Sequence, residues 1–394
     1  MMDHFRYCIT TCIYYPLVYA AIIMGHKWPL AVMLFITVSQ VLVDGLTPPD
    51  RKVVTIKHRP LLDLYLYLHL PLGFGMLLLM SWHVAPGDLW GIGAWLSGLL
   101  GPWVIEAHAN HSVVDHIILG LYVGFVLSTG TLVGHELVHR LSSPLAVLAG
   151  RWLLAMNFDA QFSISHVYGH HRNVGTPKDP ATARRGEPLY RFVLRSTIGQ
   201  YREAWEIERE RLAKKELPRW SFYNRLLTGV AMSMLIAVFC YALGGWIGVG
   251  LFMLAACLSK CMFEMVNYIQ HYGLVRVPGT RVEPRHSWDC ISRACTNTFF
   301  ALPRHAHHHA KPGLAYWQLE PSSLAATELI NKGYMATMFI AMLPSLWFHV
   351  TSLMLLRWDK EYATEEELRL ANDANRESGI KALTQASGEL ANSA

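Results

Sequence analysis

Six apolar runs approaching 20 residues, at about 9–24, 28–44, 61–82, 114–134, 226–243 and 245–264, limit what this chain can fold into. A helix rises about 1.5 Å per residue, so each run can cross most or all of the ~30 Å hydrocarbon core of a bilayer. Inside that core every backbone N–H and C=O must be satisfied within the protein, which leaves helices as the economical solution for runs of this length. The apolar residues come in continuous runs rather than one-sided stripes, and only 16% of residues are charged against the roughly 25% usual in soluble domains. The expected fold class is therefore all-α integral membrane, with about six transmembrane helices. No cleavable signal peptide is evident: the N-terminus has a single arginine, Arg6, and the first apolar stretch runs directly into a second.

Loop charge orients the spans, because Lys and Arg resist translocation. The loop 45–60 carries Arg51, Lys52, Lys57 and Arg59, the loop 84–113 carries neither residue type, and 135–225 is rich in both. An even number of spans then places both termini and the long polar segments in the cytoplasm of a bacterial-type inner membrane. Five parts follow: a transmembrane bundle over 1–134, a cytoplasmic insertion over 135–225, a transmembrane hairpin over 226–264 broken at Gly244-Gly245, a cytoplasmic cap over 265–360, and a polar tail over 361–394. The glycine-rich stretch 88–106 reads as interfacial or re-entrant, and the run near 335–356, with Pro344, as a helix lying on the membrane or packed on the bundle. The charged pattern at 198–216 reads as a solvated helix face, and the tail as a short helix followed by disorder. The net charge of +5 is accounted for by the cytoplasmic bias and by attraction to anionic lipid headgroups, so it implies no nucleic-acid partner. The seven cysteines form no C-x-x-C pair, so the chain shows no iron–sulfur module of its own.

Nine histidines fall in four clusters at the expected cytoplasmic ends of these runs: His135 and His139; His166, His170 and His171; His271; and His305, His308 and His309. Residues three or four apart share a helix face, so His135 projects with His139, His166 with His170, and His305 with its neighbours. One such pair is more often surface than ligand. Nine neutral imidazoles packed near membrane depth without a metal would leave many acceptors unpaired. They exceed what one tetrahedral zinc takes and suit two metals of four or five nitrogen ligands each, with open positions. Imidazole suits iron, copper and zinc, and redox-active iron is the choice for a site that binds oxygen. The pattern points to an enzyme rather than a scaffold. Ligating histidines usually donate their other N–H to a carboxylate or carbonyl, which nominates Glu136, Asp179, Glu264 and Asp289 as supporting groups; a turn or helix cap is the plainer reading of Asp179 and Asp289.

The runs HELVHR, HVYGHH followed by TPKDPAT, NYIQHYGL, the HSW at 286–288 and RHAHHHA resemble the integral-membrane di-iron hydroxylases, over roughly residues 10–380. These include the alkane omega-hydroxylases and the membrane component of the xylene and p-cymene methyl monooxygenases. The resemblance implies two iron ions on the nine histidines, O2 as co-substrate, and hydroxylation of a terminal or benzylic methyl group of a hydrophobic hydrocarbon to a primary alcohol. It also implies a substrate that reaches the site through membrane lipid, and electrons from a separate ferredoxin- or rubredoxin-type protein or a ferredoxin–NAD(P)H reductase. The segments YRFVLRSTIGQYREAWEIERER and WDKEYATEEELRLANDAN are similar to the xylene branch. Ser165 and Gln270 stand where the alkane enzymes have glutamates. His307 stands where they have an aspartate, which leaves it out of the ligand set as a supporting or proton-handling group. A membrane fatty-acyl desaturase uses similar histidine clusters and is the alternative enzyme; a metal transporter is the alternative from another class.

Overall fold

The computed structural model describes residues 2–53, 59–109, 111–322 and 333–393; Lys57 lies outside the described residues. Every regular element among them is helical. A π-helical turn (Ile9–Tyr14) leads into α1 (Tyr15–Met24), followed by α2 (Trp28–Leu46), α3 (Arg59–Trp82), the short α4 (Ile92–Leu100) and α5 (Trp103–Ala109), and then α6 (Val113–Val138) and α7 (Pro144–Ala155). The start of α6 is set by a reciprocal cap between Ser112 and Asp115, and that of α7 by Ser143 with a proline at the first helical position. A short α8 (Phe162–Ser165), a π-helical turn (His166–His170) and α9 (His171–Asn173) precede α10 (Leu189–Ala213) and α11 (Arg225–His271). The remainder is α12 (Arg293–Thr298), α13 (His305–Ala310), α14 (Gly333–Ala341), α15 (Pro344–Glu361), α16 (Glu365–Glu377) and α17 (Lys381–Ser393).

Four of these helices, α2, α3, α6 and α11, are long and apolar enough to cross a membrane. Straight, the 47 residues of α11 would extend about 70 Å, more than twice a hydrocarbon core. The helix instead breaks at Gly245, whose φ of 59° and ψ of −153° lie in a region that glycine alone visits freely. Tyr241 and Trp246 meet across the break with ring centroids 4.9 Å apart. Both ends return to one face: Arg225 sits 4.8 Å above the Tyr168 ring and the His271 ring lies 4.7 Å from that of His170. The helix α11 is thus a hairpin, reversing where Gly244-Gly245 predicts it.

The helix α6 is the central post. It lies against both arms of the structure because small residues let backbones approach: a Cβ on Gly124 would come within 2.5 Å of the Ala255 carbonyl oxygen, and one on Gly150 within 2.9 Å of the Gly134 carbonyl oxygen. At the periphery α2 leaves Leu34, Phe35, Val38 and Leu42 exposed, an apolar surface suited to lipid rather than water. The stretch 88–106 resolves into α4 and α5, too short to cross, jointed at Gly101 and exposing Trp95, Leu99 and Trp103, as interfacial helices do. The helices α14 and α15 bend by 118° at the break before Pro344.

One expectation from the charge pattern does not hold, and a second holds only in part. The tail is helical through Ser393, not disordered past a first short helix, and α16 docks: Arg185 binds both Asp359 and Asn375 at 2.6 Å, and His286 reaches Glu367 at 2.7 Å. Charged side chains can be buried when they are paired, and a composition-based reading cannot see the partners. On α10 the solvated face is present, with Arg202, Glu206, Arg209 and Glu210 exposed, but Glu208 is buried between Arg211 and Arg225, at 2.7 and 2.6 Å.

Candidate metal centre

All nine histidines of the four sequence clusters meet at one end of the bundle, in two groups. His135, His139, His166, His171 and His308 form one; His170, His271, His305 and His309 form the other. Within each group one ring nitrogen per residue lies within 4.8 Å of all the others. The last turn of α6 supplies His135, with His139 just beyond it, and the last residue of α11 is His271.

The other two clusters are each divided between the groups, and local helix geometry decides how. Residues 166–170 form a π-helical turn, whose period is longer than 3.6 residues. His166 therefore pairs with His171, five residues on, with Nε2 atoms 3.0 Å apart, and His170 is turned away into the second group. This corrects the sequence expectation that His166 and His170 act together, which assumed α-helical spacing. On α13 the ordinary period holds: His305 and His309 join at 3.0 Å, while His308 faces His135 at 3.0 Å.

These nitrogens conflict unless a cation sits among them. Burial, reinforced by neighbouring imidazoles, holds His166, His171, His305, His308 and His309 well below the ordinary histidine range, and burial takes His139 to about 3, so the rings are neutral. Nε2 of His305 lies 3.0 Å from Nε2 of both His271 and His309, and one proton can bridge only one such pair. Nε2 of His139 and of His170 is buried with no hydrogen-bond partner among the described residues. Metal–nitrogen bonds of about 2.1 Å at right angles place two donors about 3.0 Å apart, so the residues present fit metal ions in both groups.

Among the supporting carboxylates, Asp179 lies against a histidine side chain. His170 Nδ1–H donates to its Oδ2 at 2.8 Å, leaving Nε2 to face the second group. Thr182 (2.5 Å) and the Ala181 amide (3.0 Å) fix the carboxylate. Burial pushes Asp179 up, but His170 and these hydrogen bonds outweigh it and hold the group below its usual range. Asp289 acts through the backbone: Oδ1 accepts the Ala306 amide at 2.6 Å at the start of α13, and Oδ2 accepts the Ser322 amide at 3.0 Å. The structure places the other three elsewhere. Glu136 binds Arg140 at 3.1 Å and the Tyr316 amide at 3.3 Å. Glu264 binds Lys260 at 2.6 Å and Gln200 at 2.7 Å, with Asp159 on the far side of the lysine. His307 is half-buried, outside both groups, and accepts the Glu320 amide at 2.8 Å.

Other contributors carry no motif. Phe162 stacks on His166 with centroids 4.2 Å apart, and buried Arg276 ties down the Arg172 and Val174 carbonyls just after the second cluster. The arginine was detectable only as an isolated charge shortly after His271. His286 is not in the centre, but its HSW segment clamps the end of α11: the Trp288 amide donates to the Gln270 carbonyl and its indole N–H to the Tyr272 carbonyl.

An apolar cavity between α1, α2, α6 and α11 runs toward the cage. It shares Leu132, Phe263 and Val266 with a smaller cavity that opens on His135 and His166 of the first group and His305 of the second. A helical membrane bundle with a buried nine-imidazole cage at the inner end of an apolar cavity defines a membrane metalloenzyme acting on a hydrophobic substrate. A sequence model of the fatty acid desaturase family matches residues 116–341, which include every one of the nine histidines. The alkane 1-monooxygenase 2 of Pseudomonas aeruginosa is 34% identical over 70% of this chain and 69% of its own length. The alkane 1-monooxygenase of Acinetobacter baylyi is 33% identical over 65% of this chain and 64% of its own, just under two thirds. The xylene/toluene monooxygenase hydroxylase component of Pseudomonas putida is 31% identical over 80% of both. The chain belongs to this family, in its branch of integral-membrane hydrocarbon monooxygenases.

Proposed function

We propose that the protein is the hydroxylase component of a monooxygenase that converts a terminal or benzylic methyl group of a hydrocarbon, a methyl-arene or an alkane, into a primary alcohol. The overall reaction joins R–CH3, O2, two electrons and two protons to give R–CH2OH and water. Two iron ions would be held by the five-imidazole and four-imidazole groups and would supply the redox centre for oxygen reduction. The division of the nine imidazoles into two adjacent sets at the end of an apolar cavity carries this reading.

The chain's own residues then have separable tasks. Asp179 fixes the ring of His170 so that Nε2 faces the second group, and Asp289 anchors the segment bearing His305, His308 and His309. Leu132, Phe263 and Val266 bring an apolar substrate against the cage and keep water out. Ser165 and Gln270, which stand where the alkane branch has glutamates, favour the aromatic branch; Gln270 lines the smaller cavity and donates to the Tyr334 hydroxyl at 2.5 Å. The cage faces the cytoplasm of the inner membrane in this reading, with six crossings and both termini inside. Electrons come from a separate ferredoxin- or rubredoxin-type donor or a ferredoxin–NAD(P)H reductase.

The family model's own description keeps a desaturase as the second reading. Product analysis separates the two. The protein with a reductase, NAD(P)H and 18O2 is expected to give an 18O-labelled primary alcohol from methyl-arenes or alkanes. An alkene from an acyl chain, with no label in product, would replace this proposal by the desaturase.

A further inference from the structure

The opposite end of the bundle carries a second histidine assembly that the proposed reaction does not use. His83 follows α3, His108 lies in the last turn of α5, and His111 precedes α6. One ring nitrogen of each lies within 4.8 Å of the other two. His108 and His111 stand three residues apart, and the fold brings the remote His83 against them.

The hydrogen bonds leave two ring nitrogens without a partner and a third only weakly held. His83, only 4% exposed, donates Nε2–H to the Ile22 carbonyl at 2.5 Å, and its Nδ1 is buried with no hydrogen-bond partner among the described residues. His108 Nδ1 is buried without such a partner as well. His111 donates Nδ1–H to the His108 carbonyl at 3.1 Å, which turns its Nε2 lone pair toward the backbone amide of His26, 3.4 Å away. Histidines that serve only as packing pair such nitrogens with hydroxyls or amides; here His111 Nε2 alone has such a partner, the His26 amide at a long 3.4 Å, which an ion would displace. Desolvated acceptors left facing one another are costly, and a ring fixed by a carbonyl on one nitrogen is how ligating imidazoles are oriented.

The surroundings favour a cation. Asp115 approaches His26 at 3.5 Å, and the His26 ring stacks on that of His111 at 4.5 Å. Asp88 accepts the Trp82 indole N–H at 3.1 Å, and Trp82 stacks on His108 at 4.1 Å. No lysine or arginine occurs between residues 84 and 113, and Lys27, next to His26, is exposed.

We propose that His83, His108 and His111 form a binding site for a divalent transition ion of the zinc class, three imidazoles with a fourth position open to solvent. Tetrahedral bonds of about 2.1 Å need nitrogens about 3.4 Å apart, so the rings must turn inward slightly to close on the ion. The ion would fasten α4 and α5, which otherwise lie across the interface, to the end of α3. The site is independent of the cage and of the reaction proposed for it.

The test uses the full chain in nanodiscs after iron loading. Zinc is added against a competing chelator at micromolar free concentration, and zinc, iron and Tm are measured on the same samples. The expected result is about one zinc per chain above the iron content, with a rise in Tm. The double variant His108→Gln, His111→Gln should lose both effects and keep its iron. No added zinc in wild type, zinc that enters only as iron leaves, or an unchanged zinc equivalent in the variant would each overturn the proposal. Should the double variant fail to fold, Co2+ absorbance decides: a tetrahedral visible band in wild type that single His111→Gln abolishes supports the site, and a band that survives removes it.

Discussion

Replacing Asp179 by asparagine tests the division of the cage most directly. The carboxylate uses both oxygens: Oδ2 accepts from His170 Nδ1 (2.8 Å) and Thr182 Oγ1 (2.5 Å), and Oδ1 accepts the Ala181 amide (3.0 Å). Asparagine has one acceptor. If its oxygen serves His170, its NH2 faces the Ala181 N–H, and one buried amide loses its partner at a cost of about 1–3 kcal/mol of stability, with or without metal. The bond to His170 also changes from charge-assisted, worth about 1.5–3 kcal/mol, to neutral, worth about 1. That difference, about 1–2 kcal/mol, makes His170 a weaker donor and corresponds to roughly 5- to 30-fold weaker metal binding in its own group. The assay is release of 57Fe to a ferrous chelator followed by Mössbauer spectroscopy, beside a thermal melt. Asp179→Asn should lose one of two iron populations at lower chelator concentration, retain the other as in wild type, and melt a few degrees lower. Equal weakening of both populations would refute the assignment of His170 to a group apart from His166 and His171. Wild-type behaviour of both would refute the role of Asp179.

Three further perturbations probe the fold and the route to the cage. Burial pushes Glu367 up, but the His286 hydrogen bond, the Thr364 amide and Arg285 outweigh it and bring its carboxyl to about 2, whereas burial keeps His286 itself below its ordinary range. The two shifts agree if the contact is a neutral ring, with the Glu283 amide donating to Nδ1 and Nε2–H donating to an ionised Glu367. Because the folded value lies below the unfolded one, the stabilisation is complete above about pH 4.5 and fades as pH falls toward about 2; hydrogen exchange of residues 365–388 should rise over that window, and Glu367→Gln should show the acid-like exchange at pH 7. Gly150→Val places methyl groups against the Gly134 carbonyl, closer than packing allows, and should cost about 1–3 kcal/mol or more in unfolding from detergent, with Gly98→Val, in open space, as the neutral control. Leu132→Trp fills the junction between the two cavities and should lower kcat/KM at least about tenfold, while one methylene in such a site is worth only about 1–3 kcal/mol; iron content should not change, and a loss of iron instead would mean that the side chain supports the cage rather than the passage.

The limits of the sequence reading have identifiable physical causes. The nine histidines were legible because imidazoles are rarely massed in an apolar chain without a metal, and because loop charge put their clusters on one side of the bundle. Their division was not, since it turns on the π-helical turn at 166–170, where one extra residue per turn exchanges His171 for His170. The misplaced carboxylates share a single error. A buried carboxylate does need a partner, and for Glu136 and Glu264 the histidines were the conspicuous candidates. The actual partners stand four residues away in sequence, Lys260 before Glu264 on α11 and Arg140 after Glu136, two residues past the end of α6. An i,i+4 cation is already in place as soon as the helix forms, whereas a contact across the cage must wait for tertiary packing and compete with it. Asp179 had no such cation, and it is the one that reached a histidine side chain. Carboxylates near a proposed metal centre are therefore best sorted by their own helix first, and only those left without a local cation assigned to the ligands.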